Sequence, residues 1–159
     1  MDVNIGIGTQ ERTKMAQHLN ILLANEYVLY TKTLKHHWNI EGPCFGQLHK
    51  LFQDQYEAIL TIVDDVAERA RALGAMAYGT LAEFAQKTTL KEYPGQNESE
   101  LEMVRLLLVD HETIIQHIRT LIDVSTEVHD MGSNNFLCDL IEKHEKMAWI
   151  LRAHLMKGA

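Results

Sequence analysis

Apolar residues recur at alternating steps of three and four in four long stretches of the chain, the spacing of one face of an α-helix. The stretches span residues 9–38, 46–73, 99–132 and 134–155. The second is the most regular, and its apolar positions are Phe52, Tyr56, Ile59, Val63, Val66, Ala70 and Leu73. No stretch alternates convincingly as a half-buried strand would. The pattern therefore predicts an all-α chain.

Turn and capping residues place the ends of the first two helices. Thr9 is a candidate N-cap for the first helix, which we expect to run to about Trp38. The turn IEGPC contains Pro43, one of only two prolines, and separates the first helix from the second. The second helix has no internal Gly or Pro between Gln47 and Leu73 and should end before Gly74.

Two capping-box patterns organise the second half of the chain. Thr80 and Glu83 have the spacing of a capping box and predict a short helix over TLAEFAQK. Ser99 and Glu102 repeat that spacing and predict a third long helix, ending near residue 132, before a last helix that starts around Asn134. Four long helices with a short one between the second and third predict a four-helix bundle with a crossover.

Length and charge narrow the class of protein. The 159 residues suit one domain, with residues 1–8 as a flexible tail. No apolar run approaches the roughly 18 residues that span a membrane, and the amino terminus lacks the features of a secretory leader, so we expect a cytoplasmic protein. The net charge of −7 argues against general nucleic-acid binding and favours attraction of cations. Cys44 and Cys138 match no metal or redox spacing and are expected to be free thiols.

Metal-binding side chains cluster around the second helix. His37 and His49 flank the turn that precedes it, and Asp64 and Glu68 lie four residues apart within it. Imidazole and carboxylate together suit iron, manganese or zinc. The alternatives are a histidine that bonds carbonyls at a helix end and a solvated carboxylate pair.

Helix geometry constrains how these four residues could meet. In a continuous helix, 15 residues separate His49 from Asp64 by a rise of roughly 22 Å. Metal–ligand bonds are only about 2.0–2.3 Å long. One chain therefore cannot bring both residues to one ion. If all four are ligands, the site lies between two copies of the chain.

The segment HHWNIEGPCFGQLHKLF, followed by DDVAERARALG, resembles the signature of the Dps family of ferritin-like proteins. The segments KTTLKEYP and EKHEKMAWILRAHL extend this resemblance over nearly the whole chain. It implies a ferritin-like four-helix bundle that assembles into a hollow homododecamer. It also implies ferroxidase activity, with hydrogen peroxide favoured over dioxygen as the oxidant of Fe²⁺, and storage of ferric mineral. The family's intersubunit ligands carry over to His37, His49, Asp64 and Glu68.

Three further residues, Gln53, Asp54 and Trp38, lie close to the expected ligands in the sequence. The family usually has an aspartate where this chain has Gln53, so the second iron position is in doubt. The neighbouring Asp54 is a possible ligand, but it lies about 100° around the helix. Trp38 is interpreted either as a buried anchor of the helix junction or, by resemblance, as an aromatic residue that takes up oxidising equivalents.

Acidic residues between the third and fourth helices resemble the family's cation entry pores in placement. The candidates are Glu127 and Asp130, with Asp139 as a further one. The alternative is an ordinary solvated turn. His111 and His144 lie on apolar helix faces and are interpreted as hydrogen-bonded core histidines rather than ligands.

Two further functions compete with iron storage. A DNA-compacting shell would need a basic tail, and the amino terminus offers only Arg12 and Lys14 while the carboxy terminus ends KGA. DNA binding is therefore not expected. The third possibility is a structural shell whose metal site is vacant or filled with zinc.

Overall fold

The computed structural model describes residues 3–96 and 98–156, and within these ranges the chain forms helices and no strand. The helices are α1 Thr9–Asn39, α2 Phe45–Ala72, α3 Leu81–Lys87, α4 Glu100–Glu127 and α5 Met131–Leu155. α1 packs along α2, α4 packs along α5, and α1 joins the two pairs through α4. The predicted all-α four-helix bundle with a short crossover helix is confirmed.

The core lies between the four long helices and is filled mainly by leucine and isoleucine. Its largest fully buried side chains include Phe52, Leu22, Ile59, Leu107 and Ile114. Burial of a side chain of this size contributes about 1.5–3 kcal/mol. Among the described residues, no helix has the length and apolar character needed to cross a membrane.

Buried asparagines on α1 hold the crossover against the bundle. The Asn20 side chain donates to the Met76 carbonyl at 2.9 Å and accepts from the Tyr78 N–H at 2.9 Å. One turn further, the side-chain oxygen of Asn25 accepts from the Thr89 N–H at 2.8 Å. These bonds satisfy backbone groups that have no helical partner, so the long connection follows α1 closely.

The crossover helix α3 begins at the predicted capping box, which is confirmed. The Thr80 hydroxyl accepts from the Glu83 N–H, and the Glu83 carboxylate accepts from the Thr80 N–H at 3.0 Å. The only buried residue of α3 is Phe84, whose ring stacks on Tyr27 of α1 at a centroid distance of 4.4 Å. α3 therefore lies against α1.

The start of α1 and the turn between α4 and α5 differ from the prediction. Gly8, not Thr9, is the N-cap of α1, and glycine has no side chain with which to cap this end. Part of the predicted tail packs against the bundle: the Val3 side chain lies so close to Gly74 that a Cβ at Gly74 would be 2.8 Å from it. Residues 1 and 2 of the expected tail lie outside the described residues.

The turn between α4 and α5 comes several residues earlier than predicted, so Gly132 lies inside α5. His129 adopts a left-handed φ of 56°, and Asp130 caps α5 by accepting from the Ser133 N–H at 2.9 Å. A side-chain carbon at Gly132 would come within 2.9 Å of the Arg69 guanidinium. Gly132 is thus explained by close packing rather than by a helix end.

A polar cluster crosses the middle of the core. His111 Nδ1 and His144 Nδ1 are 3.0 Å apart, and His144 Nε2 lies 3.0 Å from a Glu26 carboxylate oxygen, all at 0% exposure. The prediction of hydrogen-bonded core histidines is confirmed. Burial, and secondarily His144, lower the pKa of His111 well below its ordinary value, so His111 is neutral at pH 7.

Candidate metal centre

The junction of α1 and α2 is a tight turn that brings two histidines together. Gly42 has a φ of +131°, which glycine adopts without a Cβ clash, and a Cβ there would lie 2.6 Å from the Glu100 carboxylate carbon. That carboxylate also accepts from the Cys44 N–H at 2.7 Å. The turn is thereby held against α4, and α2 runs back along α1.

His37 and His49 hold one another through reciprocal hydrogen bonds. His37 Nδ1 lies 2.8 Å from the His49 carbonyl oxygen, and His49 Nδ1 lies 2.9 Å from the His37 carbonyl oxygen. A carbonyl oxygen only accepts, so each Nδ1 carries a proton and donates it. In the neutral rings, each Nε2 is left with a lone pair that can bind a metal ion.

Aromatic rings hold this histidine pair on both sides. The two imidazoles stack at a centroid distance of 3.8 Å with an interplanar angle of 22°. Phe45 stacks on His49 at 5.0 Å, and the edge of Tyr56 meets His37 at 5.2 Å. Neither aromatic residue was expected at the site from the sequence. Their spacing from His49, four residues before and seven after, is the signal that places them on its helix face.

The two carboxylates lie on the exposed side of α2, away from the histidine pair. Asp64 borders a groove that Tyr27 and Leu81 also line, and Glu68 borders a second groove beside Phe136. Within residues 3–96 and 98–156, no three histidine, cysteine or acidic side chains are placed to hold one metal ion. The structure thus brings the predicted histidines together and leaves the predicted carboxylates separate from them.

Gln53 and Asp54 point to different surroundings. The Gln53 amide donates to a Glu57 carboxylate oxygen at 2.8 Å, one turn further along α2. Asp54 forms an ion pair with Lys50 and lines the groove between α2 and α5. His49 instead faces α1 through its bond to His37. That Asp54 does not replace the missing aspartate stays a prediction.

Trp38 does not anchor the helix junction, because 70% of its surface is exposed in the chain. That interpretation is wrong: its side chain follows His37 on the outer face of α1. The role of Trp38 as an oxidisable aromatic stays a prediction.

The three acidic residues assigned to a pore differ in burial. Asp130 is only 1% exposed, and its carboxylate binds Arg69 at 2.7 Å as well as capping α5. It is therefore a structural group of the bundle. Glu127 is exposed and pairs with Lys14 at 3.1 Å, and Asp139 is exposed. The pore expectation rests on these two residues.

Sequence comparison places this chain in a known family. The ferritin profile, which describes a ferritin-like domain, matches residues 16–159. The uncharacterized low temperature-induced protein all0458 of Nostoc sp. is 40% identical over 154 residues, covering 96% of this chain and 86% of that protein. The DNA protection during starvation protein of Brevibacillus brevis is 34% identical over 137 residues, covering 86% of this chain and 91% of that protein.

Solved structures give the same assignment. DpsC from Streptomyces coelicolor superimposes with a TM-score of 0.97 at 29% identity, covering 100% of this chain and 93% of that one. Dps from Vibrio cholerae, a ferritin-like diiron-carboxylate protein, superimposes with a TM-score of 0.92 at 29% identity over 98% of both chains. The fold and the profile define a ferritin-like protein. Within that class, the chain belongs to the Dps family.

Proposed function

We propose that this protein is an iron-storage ferroxidase that binds Fe²⁺ between two subunits, oxidises it with hydrogen peroxide and stores the ferric product in a hollow shell. The observation that carries the proposal is the reciprocal bonding of His37 and His49, which presents two ligating nitrogens at one end of α2. Asp64 and Glu68 lie exposed near the other end. Iron is the substrate and the cargo of this reaction.

Iron is the metal that the chemistry and the relatives favour together. Imidazole with carboxylate is a ligand set for non-haem iron. The name of the Vibrio cholerae protein places it among diiron-carboxylate proteins, and several relatives are named for DNA protection during starvation. Removing Fe²⁺ and peroxide together would serve such protection. The relatives give no comparable support to zinc or manganese.

The histidine pair His37/His49 and the carboxylate pair Asp64/Glu68 are the two half-sites of the proposed centre. The face of α2 between them fits a second copy of the chain. Tyr56 lies seven residues after His49 and eight before Asp64, close to the middle of the interval. Leu60 on this face is 47% exposed, and Val63 beside it is only partly buried. A two-fold axis near Tyr56 would cover these apolar groups and set the partner's carboxylates against His49.

In this arrangement the residues divide the work by charge. Two neutral imidazoles fix the position of Fe²⁺, and the carboxylates of the facing subunit offset its charge and favour the ferric product more strongly than the ferrous ion. Peroxide accepts the electrons and becomes hydroxide or water. Ferric product then hydrolyses and collects on acidic groups inside the shell, which we propose to be a dodecamer that iron enters near Glu127 and Asp139.

Subunit mixing tests the shared site. The variants His37→Ala/His49→Ala and Asp64→Ala/Glu68→Ala should each lose most iron oxidation while keeping the native mass measured by light scattering. Dissociated and reassembled together, they form mixed dimers in which one interface site has all four defects and the other has none. Oxidation by peroxide should therefore return in part.

The matched control is His18→Ala/His154→Ala, which removes two histidines outside the proposed site and should oxidise iron normally. If the mixture stays as inactive as either parent, each site is built within one chain and the intersubunit proposal fails. If either parent alone keeps its full oxidation rate, the ligand assignment fails.

A further inference from the structure

Three tyrosines form a continuous row along the α1–α2 face, starting at the histidine pair. The Tyr56 ring meets His37 at a centroid distance of 5.2 Å, and Tyr30 meets Tyr56 at 6.2 Å in an edge-to-face contact. Tyr27 follows Tyr30 at 5.8 Å. No step of the row exceeds 6.2 Å between ring centroids. We call Tyr56, Tyr30 and Tyr27 the tyrosine row.

The far end of the tyrosine row reaches the carboxylate half-site of the same chain. Tyr27 lines the groove that Asp64 borders, and its other face stacks on Phe84 of α3 at 4.4 Å. Phenylalanine is much harder to oxidise than tyrosine, so Phe84 ends the row. The row thus runs from the histidine pair to the groove beside Asp64, along much of the roughly 22 Å of helix that separate His49 from Asp64.

We propose that the tyrosine row conducts electrons between the two iron positions of a two-fold dimer. This inference rests on the proposed function, because only a shared site puts iron at both ends of one chain. One end of the row touches His37, a ligand of the first iron. The other end lies on the groove beside Asp64, which would bind the iron of the other interface site together with the partner's histidines.

Electron counting explains why such a connection is useful. Hydrogen peroxide is reduced by two electrons, while each Fe²⁺ supplies one. Because Gln53 stands where a carboxylate would hold a second iron, each position retains one iron firmly. One-electron reduction there would release hydroxyl radical: Fe²⁺ + H₂O₂ → Fe³⁺ + OH⁻ + •OH. An electron from the distant Fe²⁺ completes the reduction: 2Fe²⁺ + H₂O₂ → 2Fe³⁺ + 2OH⁻.

The row divides a long transfer into short steps. Electron tunnelling falls off exponentially with distance, so three contacts between neighbouring rings outpace a single transfer along the whole helix. Each tyrosine that loses an electron also releases its phenolic proton, and regains both when the next electron arrives. All three tyrosines are partly exposed in the single chain. Where the partner subunit covers this face, we place water between the subunits to take and return that proton.

Substitution by phenylalanine tests the row, because it removes the hydroxyl and keeps the ring. We expect Tyr30→Phe to break the row in the middle. With Fe²⁺ loaded anaerobically and peroxide then added, freeze-quench EPR should show a tyrosyl radical that outlives the wild-type signal. Spin trapping should show more hydroxyl radical, and fewer than two Fe²⁺ should be oxidised per peroxide. Anaerobic Fe²⁺ binding should be unchanged.

Two controls separate this result from other causes. Tyr93→Phe alters a tyrosine outside the row and should match the wild type in every readout. Trp38→Phe removes the exposed indole next to His37 and should leave the tyrosyl signal in place.

The inference is overturned if Tyr30→Phe and Tyr56→Phe both match the wild type, or if the only radical is an indole radical that Trp38→Phe abolishes. Either result leaves the proposed function standing, provided that the wild type oxidises iron. A wild type that binds no Fe²⁺ would reject the proposed function itself.

Discussion

The backbone of His37 determines which ring nitrogen of His49 is left free, and the backbone of His49 does the same for His37. His37 and His49 each donate Nδ1–H to a carbonyl across the turn, so a change in the turn alters the chemistry of both rings. The sequence indicates both residues by type and position, yet neither the reciprocal bonds nor the stacking by Phe45 could be predicted from it. Those contacts depend on the angle at which α2 leaves the turn, and Gly42 and Glu100 determine that angle together.

We propose that Gln53 limits a second metal position, because its amide is neutral and its NH₂ group donates to Glu57. We predict that Gln53→Asp increases the affinity of the second Fe²⁺ binding step by at least about tenfold. Residues that only support a metal ligand already change metal affinity by about that factor, and an added carboxylate ligand should do at least as much. Anaerobic calorimetry at fixed pH measures both steps. Gln116→Asp adds the same charge on α4 and should change neither step. Two equally tight irons in the unmodified protein would show that Gln53 is not limiting.

His111 makes stability depend on pH. Its pKa lies well below 6.5 in the folded chain because of burial, while the unfolded chain accepts a proton near that value. Protons therefore bind preferentially to the unfolded state. The contribution of the neutral histidine to stability is fully present above about pH 6.5. Below that pH, the free energy of unfolding should fall by up to roughly 1.4 kcal/mol per pH unit for each such histidine. His36, whose pKa is lowered to about 4 mainly by burial, acts in the same direction.

The measurement is the urea midpoint at fixed protein concentration between about pH 7.5 and 5.5, above the titration of most carboxylates. The control variant His154→Gln changes an exposed histidine and should keep the wild-type dependence of the urea midpoint on pH. A midpoint that rises on acidification would contradict the assignment of a neutral, buried His111 beside His144.

At the scale of helices, capping and turn residues close in sequence predicted most helix ends. The prediction failed where a side chain distant in sequence determines the end. The capping box at Thr80 and Glu83 lies within four residues, so the sequence alone predicted it. The start of α5 depends on Asp130, whose carboxylate is also held by Arg69 of α2. Nothing near Asp130 in sequence indicates that ion pair, and Gly132 therefore looked like the end of α4.

The crossover shows the same limit in its placement. Its short helix was predicted, but its position against α1 comes from Asn20 and Asn25, buried polar residues within an apolar helix pattern. That placement sets Phe84 on Tyr27 and forms the groove beside Asp64. The carboxylate half-site and the end of the tyrosine row thus owe their surroundings to bonds between helices rather than to local propensity.

For the whole molecule, the main prediction from the sequence rests on distance. Helix rise alone separates His49 from Asp64 by roughly 22 Å, and the unbroken α2 keeps them apart. An incomplete site at each end of one face, with exposed apolar groups between, points to a partner of the same kind. The partner's orientation and the size of the shell involve contacts outside a single chain, so a single sequence could not specify them.

Charge over the whole molecule bears on DNA binding. Non-specific affinity comes mostly from basic groups that neutralise phosphates, and this chain carries a net charge of −7. Both basic residues near the amino terminus are already engaged: Arg12 donates to the Leu73 carbonyl at 3.2 Å, and Lys14 pairs with Glu127. The carboxy-terminal KGA segment lies outside the described residues and adds one lysine.

We therefore predict no stable complex between the assembled protein and duplex DNA at neutral pH and about 150 mM salt, where the Debye length is about 8 Å. A gel-shift titration at low and at moderate salt measures this. A variant extended at its amino terminus by several lysines should retard the DNA, because each added phosphate contact releases counterions, and it shows that the assay detects binding. A retarded band with the unmodified protein at the higher salt would mean that subunits in the shell together form a basic surface, and a DNA-compacting role would then have to be reconsidered.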